Sequence, residues 1–209
     1  MFRSKQILPL FPSNVWVHDL EPAVYEPMNK ELKSRIEELL SSRPQIGPGE
    51  TWQTRNDLQD DLAFGRLMQC ARSAVDGVLE FLAVEPLPYE VTGCWANVNP
   101  SGSPHNTHMH PNNYLSGVYY VQTSPGDSIT FHDPREYSQF ITPKFRAHTQ
   151  HNSQSINIEA KSGRMAIFPA WLKHSVPPNE SPEERVSVAF NFMFSDFTRT
   201  VSRPRWKGI

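Results

Sequence analysis

The chain has 209 residues, of which 38% are hydrophobic, and its formal net charge is −2. This length fits a single globular domain over 1–209, and a near-neutral charge without a Lys/Arg run disfavours a nucleic-acid partner. No apolar run approaches the roughly 18 residues of a membrane span, and the proline-interrupted start does not resemble a signal peptide. We therefore expect a cytoplasmic protein with no membrane partner, in which Cys70 and Cys94 are core or surface thiols.

The first part of the chain is predicted to be helical. Residues 26–42 carry apolar residues at helical spacing before Pro44, and a second helix is predicted over 62–82. From residue 93 the pattern changes to short segments rich in β-branched and aromatic residues, separated by turn residues. Six strands are predicted there: GCWANVNP, SGVYYVQT, DSITFHDP, QSINIEA, RMAIFPA and ERVSVAFNFMF.

Helices followed by many short strands predict a mainly β fold with flanking α-helices. The expected architecture is a double-stranded β-helix, a jelly roll or cupin-like barrel, supported by N-terminal helices. Within the domain we expect an N-terminal strand and the supporting helices in 1–92. The β-helix core is expected in 93–194 and a C-terminal extension in 195–209.

Side-chain alternation assigns different tasks to the two faces of the predicted strands. In the last strand, one face is apolar and is expected to pack on the helices: Val186, Val188, Phe190 and Phe192. The other face carries polar residues and is expected to line a pocket: Arg185, Ser187 and Asn191, with Ala189 between them. Similar polar faces occur in earlier strands, at Asn97 and Asn99 and at Ser116 and Tyr120.

The segment His108-Met109-His110 is predicted to bind a metal. If it forms a strand, both imidazoles point to the same face, and His174 from a distant strand would complete a three-ligand site. Three ligands on one face leave positions open, as non-haem iron oxygenases require for a chelating cosubstrate and oxygen. Arg185 could then hold the far carboxylate of that cosubstrate.

The segments HMHPNNYLSGVYYV, SGRMAIFPAWLKHSVPPN and ERVSVAF together resemble the core of the Fe(II)- and 2-oxoglutarate-dependent oxygenases. Within that superfamily they are most similar to the prolyl-hydroxylase-like branch, and to bacterial and phage proteins with HxHP and SGVYYV motifs. The resemblance implies a hydroxylase that consumes O2 and 2-oxoglutarate and releases succinate and CO2. Its substrate would be a small molecule or a peptidyl side chain.

The resemblance also implies roles for individual residues. His108 and His174 match the two histidine ligands of the family, and Arg185 matches the residue that pairs with the distal carboxylate of 2-oxoglutarate. Tyr120 matches a tyrosine that donates to the same carboxylate, and Ser187 can add a hydroxyl. Three further residues are expected to line the cosubstrate pocket: Asn97, Asn99 and Asn191.

One departure from the family pattern concerns His110, where the superfamily usually has Asp or Glu. A three-histidine site leaves the metal one unit more positive, and a second register, with His110 and Asn112 as ligands, is also open. Two other functions stay open as well. The protein could be a cupin-like dioxygenase that does not use 2-oxoglutarate, or a binding module that holds a metal and a small acid without turnover.

Four further histidines are expected on loops or the surface: His105, His132, His148 and His151, with His132 at the end of a strand near Asp133. Tyr119 is expected in the core, Trp52 and Trp171 in the core or at the rim, and Pro169 and Pro177 in turns around His174. Substrate specificity is expected in the loops 45–62, 100–107 and 133–154. A homodimer is possible.

Overall fold

The computed structural model describes residues 1–42, 44–47, 49–135 and 140–200. Two short 3-10 turns, Leu58–Asp60 and Leu62–Phe64, precede the second helix. The helices and strands are β1 (Trp16–Asp19), α1 (Pro22–Leu39), β2 (Trp52–Gln53), α2 (Gly65–Phe81), β3 (Tyr89–Asn99), β4 (His105–His108), β5 (Leu115–Gln122), β6 (Ser128–His132), β7 (Ser155–Glu159), β8 (Arg164–Pro169), β9 (His174–Val176), β10 (Arg185–Phe194) and α3 (Ser195–Thr200).

The strands form two antiparallel sheets that face each other. The larger sheet has the order β1-β8-β5-β10-β3-β2, and the smaller sheet has the order β4-β9-β6-β7. From β3 to β10 the chain passes repeatedly between the sheets. Among the described strands of this range, only β6 and β7 are consecutive and pair directly. This is the jelly-roll arrangement that the sequence predicts.

The helices cover the outer face of the larger sheet. Met28, Leu32 and Ile36 of α1 are buried in the same core as Val188 and Phe190 of β10. The apolar face predicted for the last strand therefore packs on the helical layer, as expected. The opposite face of β10 is left to the interior between the two sheets, where the polar residues lie.

Both helices differ from their predicted bounds. The first begins at Pro22, four residues early, because proline suits a first helical turn, and it ends at Leu39, short of 42 and well before Pro44. The second is an α-helix only from Gly65 to Phe81. Its predicted beginning is a 3-10 turn, in which the Asp61 side chain accepts from the backbone N–H of Ala63. Leu82 lies beyond the helix and is 37% exposed.

Gly117, in the middle of β5, allows the close packing of the larger sheet. A Cβ atom at this position would collide with the ring of Phe190 on the neighbouring strand, and it would lie 2.8 Å from Cδ1 of Ile167. The glycine of the SGVYYV segment is therefore required by space, since its backbone does not adopt a positive φ.

A second, smaller apolar cluster fills one part of the interior between the sheets. It consists of Ile129, Phe131, Phe168 and Leu172. Within the described residues, no helix is long and apolar enough to cross a membrane. The division at residues 92 and 194 stays a prediction, and residues 201–209 of the expected extension lie outside the described residues.

Candidate metal centre and cosubstrate pocket

The smaller sheet brings the three predicted metal ligands together. His108 is the last residue of β4, and its backbone partner in the antiparallel pairing is His174, the first residue of β9. The potential ligand atoms of His108, His110 and His174 all lie within 4.8 Å of one another. In the described part of the chain, this is the group of His, Cys, Asp or Glu side chains with a spacing suited to a metal ion.

His110 reaches this group differently from the prediction. The strand ends at His108, so the two histidines do not share one β-strand. The backbone N–H of His110 instead donates to the carbonyl oxygen of Ala170 at 2.9 Å, which fixes the position of the residue just beyond the strand. Its ring lies 5.1 Å from that of His108 and 5.2 Å from that of His174, measured between centroids.

Backbone carbonyls orient two of the imidazoles. The Nδ1 atom of His108 lies 2.7 Å from the carbonyl oxygen of Asn106, and Nδ1 of His174 lies 2.9 Å from that of Leu172. Because a carbonyl can only accept, each Nδ1 carries the proton and donates it. In the neutral ring this arrangement leaves the lone pair on Nε2, the atom that would bind a metal.

Burial keeps two of the rings neutral. It lowers the pKa of His110 to about 3, with a smaller contribution from the neighbouring His174 and His108. It lowers the pKa of His174 to about 4, although the hydrogen bond to Leu172 acts in the opposite direction. Neutral imidazoles suit a divalent metal. Asn112, the ligand in the alternative register, is exposed in a turn with φ 62°. The geometry therefore favours the register with His108 and His110 as ligands over the one with His110 and Asn112.

The predicted carboxylate anchor lies on the interior face of the larger sheet. Ser187 on β10 pairs with Tyr120 on β5, so their side chains lie on the same face. The Tyr120 hydroxyl is buried and has no hydrogen-bond partner among the described residues. Burial also raises the pKa of Tyr120, so the hydroxyl keeps its proton. A buried donor without a partner is costly, and a ligand carboxylate would satisfy it.

Arg185 is the third component of the anchor and is already partly engaged. Its side chain is 2% exposed, and Nη1 donates to Oδ1 of Asp127 at 2.8 Å. Its Nη2 atom donates to the carbonyl oxygens of Pro177 at 3.2 Å and Ser103 at 3.4 Å. Asp127 was not among the predicted site residues. Pro177, expected only to shape a turn, also holds the guanidinium through its carbonyl.

The three asparagines are buried on the same interior face, where each is tied to a neighbour. Oδ1 of Asn97 accepts from Gln53 at 3.1 Å, and Nδ2 of Asn99 donates to Thr51 at 2.8 Å. Oδ1 of Asn191 accepts from the Ser116 hydroxyl at 2.7 Å. These bonds link the pocket wall to its supporting strands, and contact with the cosubstrate stays a prediction.

The four histidines predicted on loops or the surface differ in their positions. His148 and His151 are exposed in the loop before β7, as expected. His132 ends β6, where Nε2 lies 2.9 Å from the Ser175 hydroxyl, apart from the metal group. The loop assignment of His105 is wrong, because this residue begins β4.

A bulge explains the position of His105. His105 pairs with Val176 and His108 pairs with His174, so β4 uses one residue more than β9 between these pairs. The extra residue turns His105 and His108 to the same face of the sheet. Burial, followed by the nearby His108 and Arg185, lowers the pKa of His105 to about 4. The sequence contained no signal for this bulge.

The aromatic residues near the site agree with their predicted positions. Tyr119 is buried in the core and donates to Oδ1 of Asn29 at 2.6 Å. Trp52 packs against the main core, and Trp171 is 53% exposed beside Ala170, the residue that holds His110. The expected specificity loops are described only in part, because residues 48 and 136–139 lie outside the described residues.

Residues 93–191 match the model of a protein family described as "Putative 2OG-Fe(II) oxygenase". This part of the chain is similar to the 2OG-Fe(II) oxygenase family. Fe(II) and 2-oxoglutarate are the metal and cosubstrate of that family, so the protein is a 2-oxoglutarate-dependent Fe(II) oxygenase. No curated protein matches the sequence.

Solved structures of low sequence identity share the fold of this oxygenase. The epimerase SnoN from nogalamycin biosynthesis, non-haem and α-ketoglutarate-dependent, is 14% identical with a TM-score of 0.62, over 87% of this chain and 79% of SnoN. HygX from Streptomyces hygroscopicus, with nickel and 2-oxoglutarate bound, is 14% identical with a TM-score of 0.60, over 88% of this chain and 83% of HygX. A Pseudomonas putida prolyl-4-hydroxylase is 14% identical with a TM-score of 0.58, over 86% of this chain and 92% of that chain.

Proposed function

We propose that His108, His110 and His174 hold Fe(II), and that Arg185, Tyr120 and Ser187 bind the distal carboxylate of 2-oxoglutarate. The proposal rests on two features that lie together in the interior between the two sheets. Three imidazole ligand atoms lie within 4.8 Å of one another, and a buried tyrosine hydroxyl without a partner lies on the facing sheet. The donor set fits both groups, since neutral imidazoles bind iron and a phenol, a hydroxyl and a guanidinium bind a carboxylate.

The reaction that we propose is hydroxylation of a small-molecule or peptidyl substrate. Bound Fe(II) and 2-oxoglutarate supply the oxidising chemistry, in which O2 is consumed, succinate and CO2 are released, and one oxygen atom enters the substrate. The protein residues orient the reactants and exclude water. Phe168, whose ring lies 4.7 Å from that of His174, and Phe131, at 6.0 Å, form an apolar wall beside that metal ligand.

The three-histidine composition also bears on the cupin-like alternative. Among the described residues, the metal group consists of three histidines and contains no carboxylate. A cupin-like dioxygenase that binds its substrate directly to the metal would have the same composition. Such an enzyme has no need of a buried anchor for a second carboxylate. Arg185, Tyr120 and Ser187 form such an anchor, and this favours the use of 2-oxoglutarate over the cupin-like reading.

The first experiment is an anaerobic titration of the Fe(II)-loaded protein with 2-oxoglutarate, followed by the visible metal-to-ligand charge-transfer band. We expect the band in the wild-type protein and a weaker band in His110→Ala. His148→Ala, which removes an exposed histidine outside the site, is the matched control and should leave the band unchanged. Iron binding without a band would favour the cupin-like enzyme or the binding module.

We further propose a cytoplasmic location, no nucleic-acid partner and no membrane partner. Two free cysteines, Cys70 half-buried and Cys94 buried, are consistent with a reducing compartment. The near-neutral charge of the chain supports the exclusion of nucleic acid. A homodimer stays a prediction, which light scattering on the purified protein would test.

A further inference from the structure

Asp127 forms a buried ion pair with the predicted anchor residue. Its side chain is 4% exposed, that of Arg185 is 2% exposed, and the two charged groups are 2.8 Å apart. The second carboxylate oxygen, Oδ2, accepts from the backbone N–H of Ser124 at 2.8 Å, in the turn before β6. Both oxygens of Asp127 are therefore in use, and the carboxylate is fixed in place in the turn that leads into the smaller sheet.

This pairing limits what Arg185 can offer to a ligand. A guanidinium has five N–H groups. Three of them donate to Asp127, Ser103 and Pro177, which leaves two without a hydrogen bond to the described residues. A carboxylate bound here would thus share the guanidinium with Asp127 and would depend on Tyr120 and Ser187 for its other hydrogen bonds.

The charges of the proposed complex balance only when Asp127 is included. Three neutral imidazoles and Fe(II) carry two positive charges, and 2-oxoglutarate carries two negative charges. Arg185 adds one positive charge, and Asp127 cancels it across the 2.8 Å contact. With Asp127 ionised, a dianionic 2-oxo acid gives a neutral complex and a monoanionic one leaves a single positive charge. Without the Asp127 charge the same complexes carry one and two positive charges, and because the cost of buried net charge rises steeply, the monoanion is then disfavoured more strongly than before.

We propose that Asp127 is a positioning residue that sets the cosubstrate selectivity of the site. By neutralising and holding Arg185, it supplies the negative charge that the three-histidine metal group lacks, and it weakens the attraction of the anchor for anions. Removing its charge while keeping its shape should increase the preference of the site for a dianionic over a monoanionic 2-oxo acid. The inference rests on the proposed function.

The test compares two ligands that differ in the distal group. Dissociation constants of 2-oxoglutarate and of 2-oxopentanoate, which ends in a methyl group, are measured by anaerobic calorimetry on the Ni(II)-loaded full-length protein. In Asp127→Asn, we expect the ratio of the two affinities to rise about tenfold in favour of 2-oxoglutarate, because a like charge near the ligand carboxylate is removed. Asp127→Glu, which keeps the charge, should return the ratio to near the wild-type value.

Asp61→Asn is the matched control. Asp61 also pairs with an arginine, Arg35, at 2.9 Å, and its other oxygen accepts a backbone N–H from Ala63 at 3.1 Å. That pair joins α1 to a 3-10 turn outside the barrel interior, so the ratio should not change. Circular dichroism and thermal unfolding report separately on stability, and Asp127→Ser is the replacement if Asp127→Asn does not fold.

Two results would overturn the inference, and they are distinguishable. If the wild-type protein binds 2-oxoglutarate but a folded Asp127→Asn protein keeps the wild-type ratio, Asp127 only links the two sheets and the proposed function stands. If the wild-type protein loaded with Ni(II) binds neither 2-oxo acid, the proposed function and the inference fail together.

Discussion

Replacing Tyr120 by phenylalanine separates the role of the anchor from the stability of the fold. The substitution removes one hydroxyl and keeps the ring. In the structure this hydroxyl is buried and has no hydrogen-bond partner among the described residues, so the ligand-free protein loses no interaction with it. We therefore expect the variant to fold as the wild type does and to bind 2-oxoglutarate more weakly.

The magnitudes follow from the surroundings of the hydroxyl. Removing a buried, unpaired polar group should leave the free energy of unfolding unchanged or raise it by about 1 kcal/mol. A hydrogen bond to a charged carboxylate contributes about 1.5–3 kcal/mol, so its loss should weaken 2-oxoglutarate binding by about 10- to 150-fold. The substitution should therefore weaken ligand binding without weakening the fold.

The assay pairs urea unfolding of the metal-free protein with anaerobic titration of the Ni(II)-loaded protein by 2-oxoglutarate. Tyr119→Phe is the matched control, because the neighbouring hydroxyl donates to Asn29 on the opposite face of the sheet. This control should lose about 1 kcal/mol of stability and bind 2-oxoglutarate normally. A Tyr120→Phe protein that binds within twofold of the wild type would refute the reasoning.

Three other predictions follow from the same structure. Gly117→Ala should lower the free energy of unfolding by about 1–3 kcal/mol, because the added methyl group would collide with Phe190 and Ile167. Gly77→Ala, which has open space around it in a helix, should raise the free energy of unfolding by up to about 1 kcal/mol. Urea unfolding measures both, and equal stabilities of the two variants would contradict the packing argument. In the metal-free protein, burial lowers the pKa of His174 to about 4, so between that value and the unfolded pKa near 6.5 the unfolded chain binds more protons. The free energy of unfolding should therefore fall as the pH drops through this window, and His174 should account for up to about 3 kcal/mol of the fall. His174→Gln should make the free energy of unfolding less dependent on pH. An unchanged pH dependence in this variant would count against a buried neutral ring at His174. Ni(II) at about 100 times its dissociation constant should raise the free energy of unfolding by about 2.7 kcal/mol, and a chelator should reverse this. At the same Ni(II) concentration His110→Ala should be stabilised less. Equal stabilisation of the variant and the wild type would exclude His110 as a ligand.

The strands and their faces could be predicted because each strand has two environments. Val188 and Phe190 meet the helices while Ser187 and Asn191 face the interior, so the alternation is visible in the sequence itself. The meeting of His108 and His174 was predicted from the motif and its family resemblance. The match of residues 93–191 to the oxygenase family confirms that resemblance.

Features that depend on contacts distant in sequence could not be predicted. Asp127 is 58 residues from Arg185 in the chain, and its sequence pattern indicates only a turn residue before a strand. The bulge that turns His105 inward arises from the pairing of β4 with β9, which no local pattern specifies. Likewise, the strand ends before His110, and a backbone bond to Ala170 holds that histidine.

The fate of 2-oxoglutarate in the Fe(II)-loaded protein under air tests the central claim most directly. Incubation with 13C-labelled 2-oxoglutarate, followed by 13C NMR, reports whether the cosubstrate is converted to succinate and CO2. The account predicts succinate from the wild-type and His148→Ala proteins, and little from His110→Ala. Iron and 2-oxoglutarate bound together without any succinate would contradict it, and would make the site a binding module.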